Sequence, residues 1–114
     1  MFGSVAVFLD GYPVTAGHAL IVPLAHRRDY FDLTLEELLD TDRALTTLRD
    51  EFVRTGVTDF NIGWNSGAAA GQTISHAHCH LIPRRPGDME DPTGGVRGVI
   101  PEKRLYAAGS SMRA

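Results

Sequence analysis

Three of the five histidines in this chain of 114 residues, His76, His78 and His80, occupy every second position of one short stretch. Side chains at i, i+2 and i+4 of a β-strand project from the same face, so the spacing predicts a strand with one row of three imidazoles. Ala77, Cys79 and Leu81 would point the opposite way, into a core. Same-face neighbours on a strand lie about 7 Å apart, close enough for two or three rings to converge on one small anion or one metal ion. A neutral imidazole is a competent nucleophile near neutral pH, and attack on phosphorus divides one difficult displacement into two easier ones. Three imidazoles, with His18 as a further ligand, also form a reasonable open zinc site. The row alone leaves both chemistries standing.

The elements that must position this row follow from patterning. Residues 4–9 are rich in strand formers and run into the turn cluster Asp10-Gly11-Tyr12-Pro13. Residues 18–23, after Gly17 and closed by Pro23, form a second strand antiparallel to the first. Thr34 followed by Glu37 is a capping box, which satisfies exposed backbone donors at a helix start. Leu38, Leu45, Leu48 and Phe52 give that helix an apolar stripe over 34–54, and Gly56 is its stop signal. Residues 58–65 alternate Phe60, Ile62 and Trp64 with Asn61, Gly63 and Asn65, as a half-buried strand does. A loop of small residues, 66–71, then leads to the histidine strand. Beyond Pro83 the density of Gly, Pro and Asp predicts mostly loop and tail over 84–114, with short structure around 96–101.

Composition bounds the rest. The length fits a single domain over residues 1–114, with its core at about 4–83, and the apolar content of 43% suffices for that core. A net charge of −3 gives no long-range attraction to a nucleic-acid backbone, so phosphate recognition must be local. Cys79 is the single cysteine and falls on the packing face, which excludes an internal disulfide and favours a reducing, cytoplasmic setting. No apolar run approaches the ~20 residues of a membrane span.

The segment His76-Ala77-His78-Cys79-His80-Leu81-Ile82 resembles the signature of the histidine triad superfamily of nucleotidyl hydrolases and transferases. Gly17-His18-Ala19-Leu20-Ile21-Val22-Pro23, Asn65 and Gly71-Gln72-Thr73 extend the resemblance over about residues 5–88. The ending Leu81-Ile82-Pro83-Arg84-Arg85-Pro86-Gly87-Asp88 looks most like the branch of fragile histidine triad and bacterial dinucleoside-polyphosphate hydrolases. His80 stands where the transferase branch usually has glutamine, which favours hydrolysis.

The resemblance implies an α+β fold of about five antiparallel strands with one long helix packed on the sheet, and a homodimer whose sheet continues across the subunits. It assigns the nucleophile that attacks the α-phosphate to His78, phosphoryl binding near the leaving group to His80, and support of the row to His18 and His76. Crowding among the rings should help keep His78 unprotonated. Phosphate donors would come from Gly71, Gln72 and Thr73, where glycine allows close backbone approach. Asn65 would hold the phosphate or ribose edge, and Asp10 the ribose hydroxyls. The mechanism needs no metal and no tightly bound cofactor, and the substrate can arrive as its magnesium complex. A nucleoside phosphoramidase of the same superfamily and, in other classes, a metal-binding protein or a nucleotide sensor without turnover are the competing readings. Members of that family commonly carry residues ahead of the first strand that contribute to the purine pocket. Here Met1, Phe2 and Gly3 precede it.

Overall fold

The structure, a computed structural model, describes residues 2–106. Four strands form one antiparallel sheet: β1 (Val5–Leu9), β2 (Ala19–Pro23), β3 (Asp59–Trp64) and β4 (Cys79–Arg84), in the order β1-β2-β4-β3. A single long helix, α1 (Leu35–Arg54), crosses one face and packs on β1, β2 and β4. The α+β class therefore stands, with four strands among the described residues in place of about five. The segment around 96–101 supplies no fifth strand. Its glycines and Pro101 fold it into two short 3-10 turns, Gly95–Val99 and Pro101–Lys103.

The strand carrying the histidines is also shorter than the alternation predicts. Trp64 pairs with Cys79 at the end of β3, and Ile21 pairs with Cys79 from β2, so residues 76–78 lie outside the ladder pairs of both strands. The Ala77 N–H instead donates to the Arg27 carbonyl at 2.7 Å. Burial nevertheless alternates over 77–84, with Ala77, Cys79, Leu81 and Pro83 buried and the residues between them half-buried. The two faces predicted for this stretch are thus real, although the backbone ladder begins only at Cys79.

The core lies between sheet and helix, where Val5, Ala19, Ile21, Ala44, Cys79 and Leu81 are buried and Leu45, Leu48, Phe52, Phe60 and Trp64 pack around them. The helix stripe departs from expectation. In its first turns the inward positions are polar, Glu37, Asp40 and Thr41, and Leu38 is only half-buried. Each is matched. Glu37 accepts from the Thr34 N–H at 2.8 Å and from Arg27 Nε at 2.9 and 3.1 Å, while Thr41 donates to the Glu37 carbonyl. Asp40 accepts from both the N–H and the hydroxyl of Ser4, tying the helix to the start of β1.

The turn joining β1 to β2 is held against this layer by Gly17. Its φ of +90° suits glycine, and a Cβ there would lie 2.6 Å from the Phe52 ring. Thr15 donates its hydroxyl to the Pro83 carbonyl at 2.7 Å, fastening the same turn to β4. None of the described helices is long and apolar enough to cross a membrane.

Thr34→Ala removes half of the capping box, with an expected loss of about 1 kcal/mol measurable by urea denaturation. Burial pushes the Glu37 carboxyl up in pKa, but the Thr34 N–H and the Arg27 guanidinium outweigh it and hold the net value below the ordinary one. The native state therefore binds this proton less readily than the unfolded chain. The associated stability is present above about pH 4.3 and is lost as pH falls through the lower native value. In Glu37→Gln the decline of the urea midpoint on acidification should be shallower than in the wild type.

Candidate functional site

On the face of the sheet away from α1, β4 presents His80, Ile82 and Arg84, and β3 pairs Gly63 with His80 and Asn61 with Ile82. Glycine opposite His80 leaves the space above that ring open. His18, at the entry to β2, is buried to 3% exposure and places Nε2 at 2.9 Å from His80 Nδ1. The rings of His18 and His80 have centroids 5.2 Å apart, and those of His80 and His78 5.1 Å apart. The assembled row is His78, His80, His18. Its middle ring is His80, where the sequence spacing places His78.

His76 does not join the row. Its Nε2 lies 3.0 Å from the Pro23 carbonyl and its Nδ1 3.3 Å from His26 Nδ1, so the side chain latches the 71–78 segment to the loop after β2. That makes its supporting role one of backbone placement. The set His76, His78 and His80 consequently does not converge on one metal position.

The hydrogen bonds fix which nitrogen carries each proton. The Val14 N–H donates to His18 Nδ1 at 3.2 Å, so a neutral His18 must hold its proton on Nε2. That Nε2–H points at His80 Nδ1, which accepts, and His80 in turn carries its proton on Nε2. His78 Nδ1 lies 2.8 Å from the His76 carbonyl, which can only accept, so Nδ1 is the protonated nitrogen and Nε2 keeps its lone pair. Two adjacent rings thus offer opposite functions: a lone pair on His78 and an N–H donor on His80.

Burial lowers the pKa of His80, the neighbouring His78 and His18 lower it further, and Asp10 opposes them more weakly. Crowding therefore acts on His80 and secures the neutral donor form. Asp10 reaches His18 Nε2 at 3.5 Å with one carboxylate oxygen and accepts the Tyr12 N–H at 2.8 Å with the other. Donor atoms of Asp10, His18 and His80 lie within 4.8 Å of one another. His18 Nδ1 is already an acceptor for Val14, however, so a cation here would have to displace the proton shared by His18 and His80.

Asn65 joins His18 and His80 in lining a cleft of about 570 Å³. Gly71, Gln72 and Thr73 lie elsewhere in this arrangement. Gln72 and Thr73 line a separate depression with Arg28 and Ser75. The Gln72 amide is occupied: its nitrogen donates to the carbonyls of Arg28 and Ile74, and its oxygen accepts the Gly67 N–H. The N–H groups of Gly71 and Gln72 are also taken, by Ala68 and Gly67. The turn is internally stapled around Gly71, whose φ is +91°.

Sequence reasoning missed Val14, whose contribution is a backbone N–H that carries no residue signature. It also missed Asn61 as a partner of Arg84, which donates to the Asn61 side chain at 2.6 Å and to both Asp88 oxygens at 2.9 and 2.7 Å. The i, i+4 spacing of Arg84 and Asp88 was the available sign. Met89, Val96 and Val99, expected as tail, form one wall of the cleft. Cys79 is inert by comparison, its thiol pushed up to about 12 by burial.

A four-stranded sheet with one long covering helix, a cleft on the opposite face and complementary imidazoles at its centre defines a protein of the histidine triad type. The chain belongs to that family: residues 2–87 match the model of the HIT domain. An uncharacterized HIT-like protein of Methanocaldococcus jannaschii, MJ0866, is 35% identical over 86 residues, covering 75% of this chain and 67% of that protein. The asymmetrical bis(5'-nucleosyl)-tetraphosphatase of Schizosaccharomyces pombe is 32% identical over 87 residues, covering 75% and 48% respectively. Among solved structures, the diadenosine triphosphate hydrolase of Plasmodium falciparum in complex with cyclomarin A superposes with a TM-score of 0.70 at 31% identity, covering 77% of this chain and 60% of that one. The chain thus spans about half to two thirds of the length of these relatives.

Nitrogen-15 spectra at neutral pH should show His78 as the Nδ1–H tautomer and His80 as the Nε2–H tautomer, with His80 titrating below its ordinary value of about 6.5. In His18→Phe the shielding of His80 Nδ1 should change while the His78 tautomer persists. Equal Nδ1–H and Nε2–H populations at His80 in the wild type would contradict the relay from Val14.

Proposed function

We propose that this chain is a nucleotide hydrolase that cleaves at the α-phosphate of a dinucleoside polyphosphate or a related nucleotidyl substrate. The observation that carries this reading is the bonding of adjacent rings, His78 Nδ1 on the His76 carbonyl and His80 Nδ1 on His18 Nε2, which leaves a lone pair on His78 Nε2 beside a donor on His80 Nε2. Attack by His78 Nε2 forms a P–N bond at the α-phosphorus and breaks the bond to the bridging oxygen, which departs with the remaining phosphates. Water then displaces the histidine, releasing a nucleoside monophosphate and returning one proton to solvent. The His80 N–H supports negative charge on the phosphoryl oxygens as it develops.

His18 acts through His80 by setting its tautomer, and Asp10, 3.5 Å from His18 Nε2, acts through His18 and in this reading also serves the ribose hydroxyls. Asn65, at the cleft mouth, supplies an amide to the phosphate or ribose edge. In the 71–73 turn, the Gln72 side chain shapes the loop, and Gln72 and Thr73 line the separate depression. The names of the fission-yeast tetraphosphatase and the Plasmodium hydrolase support the substrate class.

A homodimer fits the same reading. β3 is the last strand of the sheet, its outer edge lacks a partner among the described residues, and Ile62 on it is 50% exposed. Continuing the sheet through this edge would cover Ile62 and remove a strand edge open to wrong pairing. Sedimentation at micromolar concentration should give twice the chain mass, and monomer alone counts against the dimer.

His78→Ala should abolish turnover, by several powers of ten as for other covalent nucleophiles, while nucleotide binding is largely kept. Rapid quench with substrate labelled at the α-phosphate, then peptide mapping, should find acid-labile nucleotide on the peptide containing His78. Label on another residue, or full activity in the variant, sinks the assignment.

Activity should also survive exhaustive chelation of protein-bound metal, once magnesium is restored for the substrate, because an imidazole nucleophile needs no metal hydroxide. Recovery only with one equivalent of a transition metal bound to the protein would favour the metal-site reading.

A further inference from the structure

The cleft beside the histidines is lined by His18 and His80 but not by His78. In phosphoryl transfer the attacking and leaving groups stand roughly in line, so a nucleophile on His78 drives the departing group away from itself. The cleft on the other flank of His80 is therefore where that group has room to lie. At about 570 Å³ it falls within the range of sites that take small organic ligands.

Its walls say what kind of group fits. Ile82 forms the floor, and Met89, Val96 and Val99 form the side contributed by the segment after β4. That segment is held as a clasp: Arg97 donates to the carbonyls of Lys103 and Arg104, and Arg104 donates to the carbonyl of Thr93 and to Asp91. At Gly94, with φ +93°, a Cβ would collide with the Arg104 carbonyl, so the clasp closes only around glycine. Side chains bring an apolar slot to a cleft that begins at a phosphoryl-binding ring.

Charge narrows the choice further. Arg84 is the cation of the cleft, and Asp88 accepts from its Nε and from one terminal nitrogen. The pairing holds the Asp88 carboxyl down to about 2, so both partners stay charged at neutral pH. A phosphate-terminated leaving group would find that cation already neutralised and a carboxylate beside it. A planar, uncharged terminus would find apolar walls and the Asn61 amide nitrogen at the edge, its oxygen being occupied by Arg84.

We propose that the cleft formed by Ile82, Met89, Val96 and Val99 is a leaving-group subsite that takes the second nucleoside of a dinucleoside polyphosphate. This rests on the hydrolase reading above and deepens it. The subsite makes the far nucleoside, which takes no part in the chemistry, a determinant of specificity.

The test compares diadenosine triphosphate with ATP, both of which yield AMP on attack at the α-phosphate and differ in the far nucleoside and in the terminal phosphate charge that it caps. The wild type should favour the dinucleotide in kcat/KM by tenfold or more, and the uncharged substitutions Val96→Ser or Val99→Ser should reduce that ratio by about tenfold, the scale of a lost apolar contact. Both valines are largely exposed, at 67% and 78%, so the substitutions spare the core. An unchanged ratio, or an equal fall on both substrates, overturns the subsite.

Binding is read separately by titrating the protein with methylene-bridged analogues of the two compounds. The dinucleotide analogue should move the Val96 and Val99 methyl resonances and the ATP analogue should not. Absence of the first shift overturns the subsite even where AMP is released. Methyl shifts without AMP from either substrate uphold the subsite and sink the hydrolase reading.

Discussion

The open face of this protein depends on one hydrogen bond, from His18 Nε2 to His80 Nδ1 at 2.9 Å. It joins two rings, and burial with the neighbouring His78 and His18 lowers the pKa of His80, favouring its neutral form. A second proton on His80 would set two N–H groups against one another in a space already closed to water on the His18 side, where exposure is 3%. An unpartnered charge in such a place is costly, so the rings share one proton between them and leave the donor of His80 facing outward. The chain of cause begins further back, at a backbone N–H of Val14. A turn between two strands thus sets the protonation of a side chain on a third.

That turn has to be held still for the relay to mean anything. Gly17 against Phe52 and the Thr15 hydroxyl on the Pro83 carbonyl fix it from both sides, one contact reaching the helix and the other β4. On the helix side of the sheet, the small residues Ala19, Ala44 and Cys79 let backbone layers approach closely, with Ile21 and Leu81 filling the remaining space. On the opposite face, among the described residues, neither a strand nor α1 covers His80, and its cross-strand partner Gly63 adds no bulk. The same helix cannot cover both faces. Stability is concentrated on one side of the sheet and chemistry is free to occupy the other.

Much of this was legible in the residues. The capping box at Thr34 and Glu37, the turn glycines and the alternation at 77–84 each report a local constraint, and local constraints survive folding. The inward polar stripe of α1 was hidden because Glu37 and Asp40 are matched by partners outside the helix, Arg27 and Ser4, while Thr41 donates to the Glu37 carbonyl one turn back. Alternation placed three histidines on one face, but it could not show that the ladder stops at Cys79, since β3 ends at Trp64 and β2, which runs on to Pro23 beside β1, last pairs with β4 at Ile21. Hence the sequence spacing put His78 in the middle of the row, while three-dimensional pairing put His80 there. The clasp after β4 was unreadable for a related reason. Its apolar residues follow neither period, and its cohesion comes from arginine side chains bound to carbonyls of the same segment.

A chain of net charge −3 that handles a polyphosphate, as proposed, has to do so without a favourable long-range field. The described site meets this with neutral donors: an imidazole N–H on His80 and an amide on Asn65, while the Arg84 charge beside them is balanced by Asp88. Donors of this kind are directional, whereas a free cation attracts any anion at any angle. Balanced charge therefore trades affinity for selectivity, and it shifts the burden of recognition from the phosphates to whatever they connect. In such a site the shape of the cleft beyond His80 matters more than the number of negative charges that enter it. On that proposal, the ion pair of Arg84 and Asp88 would let the site tell polyanions apart by their ends.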